Sequence, residues 1–205
     1  MRIASPPGGE CASPRFVAAV DAAFRADGKR IVAGVVLWDA WRGAAIEQHT
    51  VRRAVRFPYV PGLLSFREAP AVLAALRRLR QTPDVVFCDG QGLAHPRRFG
   101  LACHVGLWVD LPTVGVAKSR LCGEHDQPGA RRGDACPLRL DGEVVGAVLR
   151  TRANVRPLFV SPGNLCEIEW ATRVVLATTT SYRLPEPARL AHQLVTRARR
   201  SPAAT

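Results

Sequence analysis

Apolar and β-branched residues fall into short runs along the chain, separated by Gly, Pro and charged residues. Three early runs, at 16–24, 31–38 and 44–57, are divided by turn signals and predict a three-stranded antiparallel meander. Two later runs, at 83–88 and 111–117, are short and almost wholly apolar, which predicts buried parallel strands. The pattern therefore favours an α/β fold with a mixed sheet flanked by helices.

Helix signals lie between and after these strands. Ser65 followed by Glu68 forms a capping box, and the apolar face of the predicted helix continues through Leu73, Leu76 and Leu79. Further helices are predicted at 99–109 and 164–177, and a last one opens at 183–187 and carries His192.

The pattern of apolar runs is less regular in the second half of the chain. Residues 123–137 are rich in Gly, Pro and charge and predict a flexible loop, whereas 138–149 predicts a hairpin that turns at Asp141-Gly142. A short strand is expected at 158–160. We expect one domain over 1–205, with 1–15 and the basic tail 197–205 poorly ordered.

The amino-acid composition favours one class of binding partner. Lys and Arg together number 29 against 17 acids, which gives a net charge of +12 and makes a polyanion the favoured partner. A charge that serves only solubility is the alternative. The six cysteines form no C-x-x-C pair, no secretory signal is visible and no run is long enough for a bilayer, so a cytoplasmic protein with reduced thiols, away from membranes, is expected.

Three acids fall on separate predicted elements. Asp21 interrupts the first apolar strand, Glu68 lies at the start of the first helix, and Asp89 ends the fourth strand before two glycines. If the fold brings them together, they repel one another unless a divalent cation lies between them, and oxygen ligands favour Mg²⁺ or Mn²⁺. Lys118, one of two lysines in the chain, ends the fifth strand at the same edge.

Each of these residues also has a plain structural explanation. Asp21 can mark a turn, Glu68 can cap its helix, Asp89 can belong to an ordinary Asp-Gly turn, and Lys118 can be a solvated side chain. Taken together, acids beside a lysine on a basic protein favour phosphodiester hydrolysis over these separate explanations.

Four segments in order resemble the signature of the endonuclease V family. They are the segments YVPGLLSFRE at 59–68, DGQGLAHPRR at 89–98, GVAKSRLCG at 115–123 and YRLPEP at 182–187. The resemblance covers residues 16–193 and implies an RNase H-like fold and a Mg²⁺-dependent DNA repair endonuclease. Such enzymes flip deoxyinosine, the product of adenine deamination, out of DNA and hydrolyse the second phosphodiester bond on its 3′ side.

The resemblance also implies roles for single residues. Asp21 and Asp89 match metal ligands, Glu68 completes the acidic set, Lys118 matches a catalytic lysine on the phosphate, and His192 matches a histidine near the metal and water. Tyr59 matches a wedge that fills the gap left by the flipped base. The other substrate-binding residues implied are Pro61, Gly62, Leu64, Gly90, Gly92, His95 and Arg97.

The chain departs from the family pattern at a few positions. Gln91, Cys103, Asn164 and Ser181 stand where His or Asn, Ser, His and Gly are usual, and the segment before Asp21 is short. No catalytic candidate is lost. Two alternatives stay open: an endonuclease for inosine-containing RNA, which the 2′-hydroxyl would distinguish, and a non-catalytic basic nucleic-acid-binding domain. A monomer is expected.

Overall fold

The computed structural model describes residues 13–201, so the expectation of loose order at 1–12 and 202–205 lies outside the described residues. Eight strands form one mixed sheet, and four helices pack on its two faces. The strands are β1 (Phe16–Phe24), β2 (Arg30–Asp39), β3 (Ala44–Ala54), β4 (Val85–Cys88), β5 (Thr113–Ala117), β6 (Ala135–Leu140), β7 (Glu143–Leu149) and β8 (Leu158–Asn164). The helices are α1 (Leu64–Leu76), α2 (Leu101–Val109), α3 (Ile168–Ala177) and α4 (Glu186–Arg200).

The strand order is β3-β2-β1-β4-β5-β8-β7-β6. The first three strands form the antiparallel meander that the apolar runs and turn signals predict, and β1, β4 and β5 run parallel to one another. The carboxyl ends of these three central strands therefore meet at one edge of the sheet. The predicted α/β mixed sheet flanked by helices is confirmed, and this edge becomes the place to look for a site.

Two apolar layers bury the central strands. On one face α1 and α2 cover β1, β2 and β4, and on the other face α3 and α4 cover them together with β5 and β8. At Gly34 of β2 the helix α4 comes close to the sheet, since an added Cβ would lie 2.7 Å from a methyl group of Val195. A glycine here lets α4 cross the sheet near β1.

The capping box at Ser65 and Glu68 is wrong. The N-cap of α1 is Leu63 and makes no side-chain cap hydrogen bond, so Ser65 lies inside the first turn. Its hydroxyl is 3.3 Å from His104 Nδ1 on α2. Ser65 therefore contacts α2, which the local sequence does not show, and the Glu68 carboxylate has no capping role.

Two other local expectations fail because distant partners decide the structure. Residues 161–163, expected to lead into a helix, continue β8, and α3 begins only at Ile168. Pro162 is tolerated in this inner strand because the pairing with β5 shifts register beside it, where no N–H is needed.

The segment 123–137 is a loop up to residue 134, as its composition predicts, but it is held by hydrogen bonds and is not a loop over its whole length. Its last residues belong to β6, and the Arg150 guanidinium donates to the carbonyls of Gly129 at 2.9 Å and Pro128 at 3.0 Å. The hairpin that turns at Asp141-Gly142 is confirmed, as β6 and β7.

The basic tail is ordered further than expected. Residues 197–200 complete α4, and Arg52 of β3 donates to the carbonyl of Ala198 at 2.9 Å. Cations near the last carbonyls of a helix are favourable partners for it. No helix among residues 13–201 has the length and apolar character needed to cross a membrane.

Candidate active site

Three charged side chains meet at the edge where β1, β4 and β5 end. Asp21 lies near the end of β1, while Asp89 and Lys118 directly follow β4 and β5. The parallel topology makes these positions neighbours although they are far apart along the chain. Lys118 Nζ donates to Asp89 Oδ2 at 2.6 Å, so the ammonium lies inside the acidic group and partly compensates it.

His192 reaches the same place from α4. Its Nδ1 lies 2.9 Å from Asp21 Oδ2, 3.8 Å from Asp89 Oδ2 and 3.4 Å from Lys118 Nζ. One ligand atom from each of Asp21, Asp89 and His192 lies within 4.8 Å of the others. Two carboxylates and an imidazole at this spacing are a donor set that fits a divalent cation.

Asp21 is held in an unfavourable environment for a charge. Its side chain is almost fully buried, and Oδ1 accepts a hydrogen bond from the backbone N–H of Ala22 at 2.8 Å. Burial raises the pKa of Asp21, the charge of Asp89 raises it further, and the contact with His192 opposes both effects. A buried carboxylate beside a second one is stabilised by a cation, so the environment calls for a positive ligand.

Glu68 stands next to this group but outside its compact core. It projects from α1 into the cavity beside Asp89. Burial, followed by the charges of Asp21 and Asp89, raises the pKa of Glu68 to about 8. The three acids predicted from separate elements therefore do influence one another, with Asp21 and Asp89 paired through His192 and Glu68 acting from the neighbouring wall.

A cavity of about 480 Å³ opens beside the carboxylates. Its walls come from the loop after β3, the start of α1, and the loops after β4 and β5. Five of the predicted substrate-binding residues line it: Tyr59, Gly62, Leu64, Gly90 and His95. The volume and the mixture of apolar and polar walls suit a flat heterocycle of nucleobase size.

Pro61, Gly92 and Arg97 do not line the cavity, although each lies close to its walls. Arg97 Nη1 donates to the carbonyl of Gly62 at 3.1 Å and so braces the loop, which turns at Gly62 with φ +78°. Gly92 is packed against β8, where an added Cβ would lie 2.1 Å from the carbonyl oxygen of Pro162. These residues shape the pocket from behind.

Tyr59 stands at the mouth of the cavity with 69% of its surface exposed. The guanidinium of Arg67 lies 5.6 Å from its ring centroid and 4.5 Å from that of Phe24. A large aromatic side chain left in water beside a pocket is available for stacking on a base.

His95 presents a defined face to the pocket. Its Nδ1 accepts the backbone N–H of Arg97 at 3.1 Å, so the neutral ring carries its proton on Nε2. Burial lowers the pKa of His95, and the charge of Arg97 lowers it further. The ring is therefore neutral near pH 7 and offers a donor at Nε2.

Two positioning side chains escaped the sequence analysis. Gln91 was noted only as a departure, yet its Nε2 donates to the carbonyl of Ser119 at 3.1 Å and joins the loops after β4 and β5. Arg183 donates to the carbonyls of Lys118 at 2.6 Å and Pro157 at 2.8 Å. Arg183 lies in the motif at 182–187, and that position is the sequence signal that could have identified it. For Gln91 the only such signal is its place between two glycines.

Acids at the carboxyl edge of a mixed α/β sheet, a lysine among them, a base-sized cavity and a strongly basic composition define the class: this is a nuclease. The profile of the Endonuclease V family matches residues 6–193. The chain belongs to the endonuclease V family and is an endonuclease.

Individual relatives agree. The chain is 52% identical over 182 residues to endonuclease V of Azotobacter vinelandii, covering 89% of this chain and 82% of the relative. It is 53% identical over 178 residues to endonuclease V of Nocardia farcinica, covering 87% and 78%. The alternative of a non-catalytic binding domain is not favoured by these relationships.

Solved structures share the whole architecture. Endonuclease V of Streptomyces avermitilis superposes with a TM-score of 0.87 at 45% identity, over 95% of this chain and 84% of that one. Human endonuclease V superposes with a TM-score of 0.85 at 33% identity, over 94% and 87%. The expected RNase H-like fold is confirmed. Endonuclease V of Ciona intestinalis, at 24% identity and a TM-score of 0.82, was solved with DNA containing an inosine followed by a ribo-adenosine; it covers 96% of this chain and 90% of that one.

Proposed function

We propose that this protein is a Mg²⁺-dependent endonuclease that recognises deoxyinosine in DNA by base flipping and hydrolyses the second phosphodiester bond on its 3′ side. The proposal rests on the observation that a cluster of possible metal ligands adjoins a cavity. The ligand atoms of Asp21, Asp89 and His192 lie within 4.8 Å of one another, and Asp89 also lines a 480 Å³ cavity of nucleobase size.

The residues at the sheet edge fit a hard divalent cation. Asp21 and Asp89 would hold it through carboxylate oxygens, with Glu68 contributing from the neighbouring wall. Mn²⁺ suits the same donors. When bound, such an ion supplies an activated water and stabilises charge on the phosphoryl oxygens.

The remaining groups have complementary tasks. The Lys118 ammonium lies 2.6 Å from Asp89, and it would contact a phosphate oxygen instead when substrate enters. His192 lies against both carboxylates and is placed to orient a water or hold a proton at Nδ1. Asp21 keeps this ring in position.

Recognition would rest on the walls of the cavity. Tyr59 on its stiff, proline-flanked loop is suited to fill the gap in the duplex, while the loops around Gly62 and Gly90 leave room for backbone contact with a flat base. His95 offers a donor at Nε2 to a purine acceptor such as O6 or N7 of hypoxanthine. Mispaired hypoxanthine costs less to unstack than a paired base, which favours the lesion.

A cleavage assay tests the proposal. The protein is incubated with 5′-labelled duplexes that contain deoxyinosine, deoxyuridine, an abasic site or a normal A·T pair, with Mg²⁺ and with EDTA. We expect one nick, one nucleotide beyond the lesion, only with deoxyinosine and Mg²⁺. A matched oligonucleotide with inosine in RNA measures the competing preference, and a folded protein that leaves the deoxyinosine duplex intact would refute the proposal.

A further inference from the structure

A second groove lies on the other side of the loop at 55–63, which joins β3 to α1 and carries Tyr59. Its volume is about 500 Å³, close to that of the first cavity, and its lining includes four arginines and no acidic residue. The arginines are Arg52, Arg53, Arg56 and Arg67. Phe57 and Phe66 form an aromatic floor, with ring centroids 5.4 Å apart and an interplanar angle of 25°.

The loop after β3 and the first turns of α1 form the ridge between the two grooves. Tyr59, Leu64 and Glu68 face the cavity that holds the carboxylates, whereas Phe57 and Phe66 face the arginine groove. One structural element thus has two binding faces of different chemistry: acids among mixed polar and apolar walls on one side, and arginines beside aromatic rings without acids on the other.

Arg56 is the side chain in this groove with no other task. Arg53 donates to the carbonyl of Pro70 at 3.3 Å, and Arg67 is stacked between Phe24 and Tyr59. The guanidinium of Arg56 is exposed and makes no hydrogen bond or ion pair with any residue between 13 and 201. An exposed, uncompensated guanidinium beside three other arginines is a site for an anion.

We propose that the arginine groove binds the DNA strand opposite the lesion, with its backbone phosphates against Arg56 and its neighbours and its unpaired base over Phe57. This inference rests on the proposed function, because a wedge that extrudes one base leaves an orphaned partner on the other strand. Positive charge without acids matches a phosphodiester chain, and the aromatic floor matches an unstacked base.

The distance between Arg56 and Tyr59 is compatible with a DNA strand in this groove. Arg56 precedes Tyr59 by three residues, which is at most about 11 Å of extended chain. The grooves of B-DNA are about 6 to 12 Å wide, so a wedge inserted at Tyr59 brings the second strand within reach of Arg56. An acidic peptide paired with the edge strand β3 is a different occupant, and the test separates the two.

The experiment compares Arg56→Ala with the unmodified enzyme on a deoxyinosine duplex and on the same lesion strand alone. Arg78→Ala is the matched control, because it removes an equal charge beyond the far end of α1. We expect Arg56→Ala to weaken duplex binding and lower duplex kcat/KM about threefold to tenfold, with no change on the single strand. The slope of log affinity against log salt should fall by about 1 for the duplex only.

Binding measured by fluorescence anisotropy keeps this test independent of catalysis, so a protein that cleaves nothing still reports whether Arg56 discriminates duplex from single strand. Arg56→Lys, which keeps the charge, should restore most of the salt slope. Equal losses on both substrates, no loss on either, or an equal loss in Arg78→Ala would overturn the proposal. The proposal would also be overturned if the protein bound acidic peptides without DNA and Arg56→Ala abolished that binding.

Discussion

Two buried aspartates in neighbouring strands have opposite surroundings. Asp39, at the end of β2, is 1% exposed and receives hydrogen bonds from Arg15 Nη2 at 3.0 Å and from the backbone N–H groups of Trp41 and Arg42. Asp21, 7% exposed on β1, faces a second carboxylate. Asp39 pairs across the sheet with Phe16, so about five residues, or about 17 Å, separate the two acids.

The comparison distinguishes an aspartate that stabilises the fold, Asp39, from an aspartate of the candidate active site, Asp21. Hydrogen bonds from Arg15 hold the pKa of Asp39 below its usual range, whereas burial and Asp89 raise that of Asp21. Protein groups satisfy the first carboxylate completely, and the second is left partly uncompensated. Burial alone does not mark function; burial together with a like charge nearby marks a carboxylate that a cation would stabilise.

The largest effect that sharpens this contrast is expected for Asp21→Asn. The amide keeps the shape but loses the charge that would help hold a divalent ion under the proposed function, and an ion worth several kcal/mol to the transition state corresponds to about a thousandfold in rate. Single-turnover nicking of a deoxyinosine duplex measures the loss. Asp39→Asn, an identical chemical change 17 Å away by the register argument, is the control and should retain cleavage; a thousandfold loss in both variants would erase the distinction.

Divalent-ion binding gives the next effect. A ligand at about one hundred times its Kd stabilises the folded state by about 2.7 kcal/mol, which is about 5 to 10 °C in Tm for a chain of this size. We expect Mg²⁺ or Mn²⁺ to produce such a shift in the unmodified protein and in Asp39→Asn.

Thermal unfolding with increasing ion, without DNA, makes this measurement independent of catalysis. Asp21→Asn and Asp89→Asn should lose the shift. Equal shifts in these variants would place the ion elsewhere.

The sequence predicted the parts of this site that local pattern controls. Asp21 in an apolar run, Asp89 at a strand end and Lys118 at the next strand end follow from strand periodicity, and the parallel topology then brings them to one edge. The approach of His192 depends on α4 crossing the sheet over Gly34, which is a tertiary event. The late histidine was found only through the family resemblance.

Other features were out of reach for a local pattern. The N-cap of α1 is Leu63, and Ser65 lies beside His104 of α2 instead of capping the helix. Pro162 lies inside a strand because β5 offers a register shift. Segment 123–137 is held by Arg150 from outside the segment. Each miss is a place where a distant partner outweighs local preference.

A smaller effect, on stability, tests the structural half of the comparison. Asp39→Ala removes the acceptor for Arg15 and for two backbone N–H groups, and we expect Tm to fall by several degrees. Arg15 is about one-third exposed, so solvent compensates part of the loss. Scanning calorimetry gives the change in Tm, and nicking of the deoxyinosine duplex should keep its rate below the new Tm. A loss of cleavage with an unchanged Tm would reverse the assignment.

A pH dependence of stability is expected, with opposite signs at the two ends of the sheet. The pKa of Glu68 is raised from 4.5 to about 8, so between these values the folded protein holds a proton that the unfolded chain releases. In EDTA the free energy of unfolding should therefore fall as pH rises from about 4.5 to about 8. Asp39, with its lowered pKa, adds stability above its ordinary pKa that is lost in acid. Urea titrations at pH 5, 6.5 and 8 measure the first slope, which Glu68→Gln should flatten and Asp39→Asn should leave unchanged. Asp21, whose pKa is also raised, keeps part of this slope in Glu68→Gln. A slope in Glu68→Gln as steep as that of the unmodified protein would show that the Glu68 carboxylate is not held in the uncompensated environment that distinguishes this edge from the other.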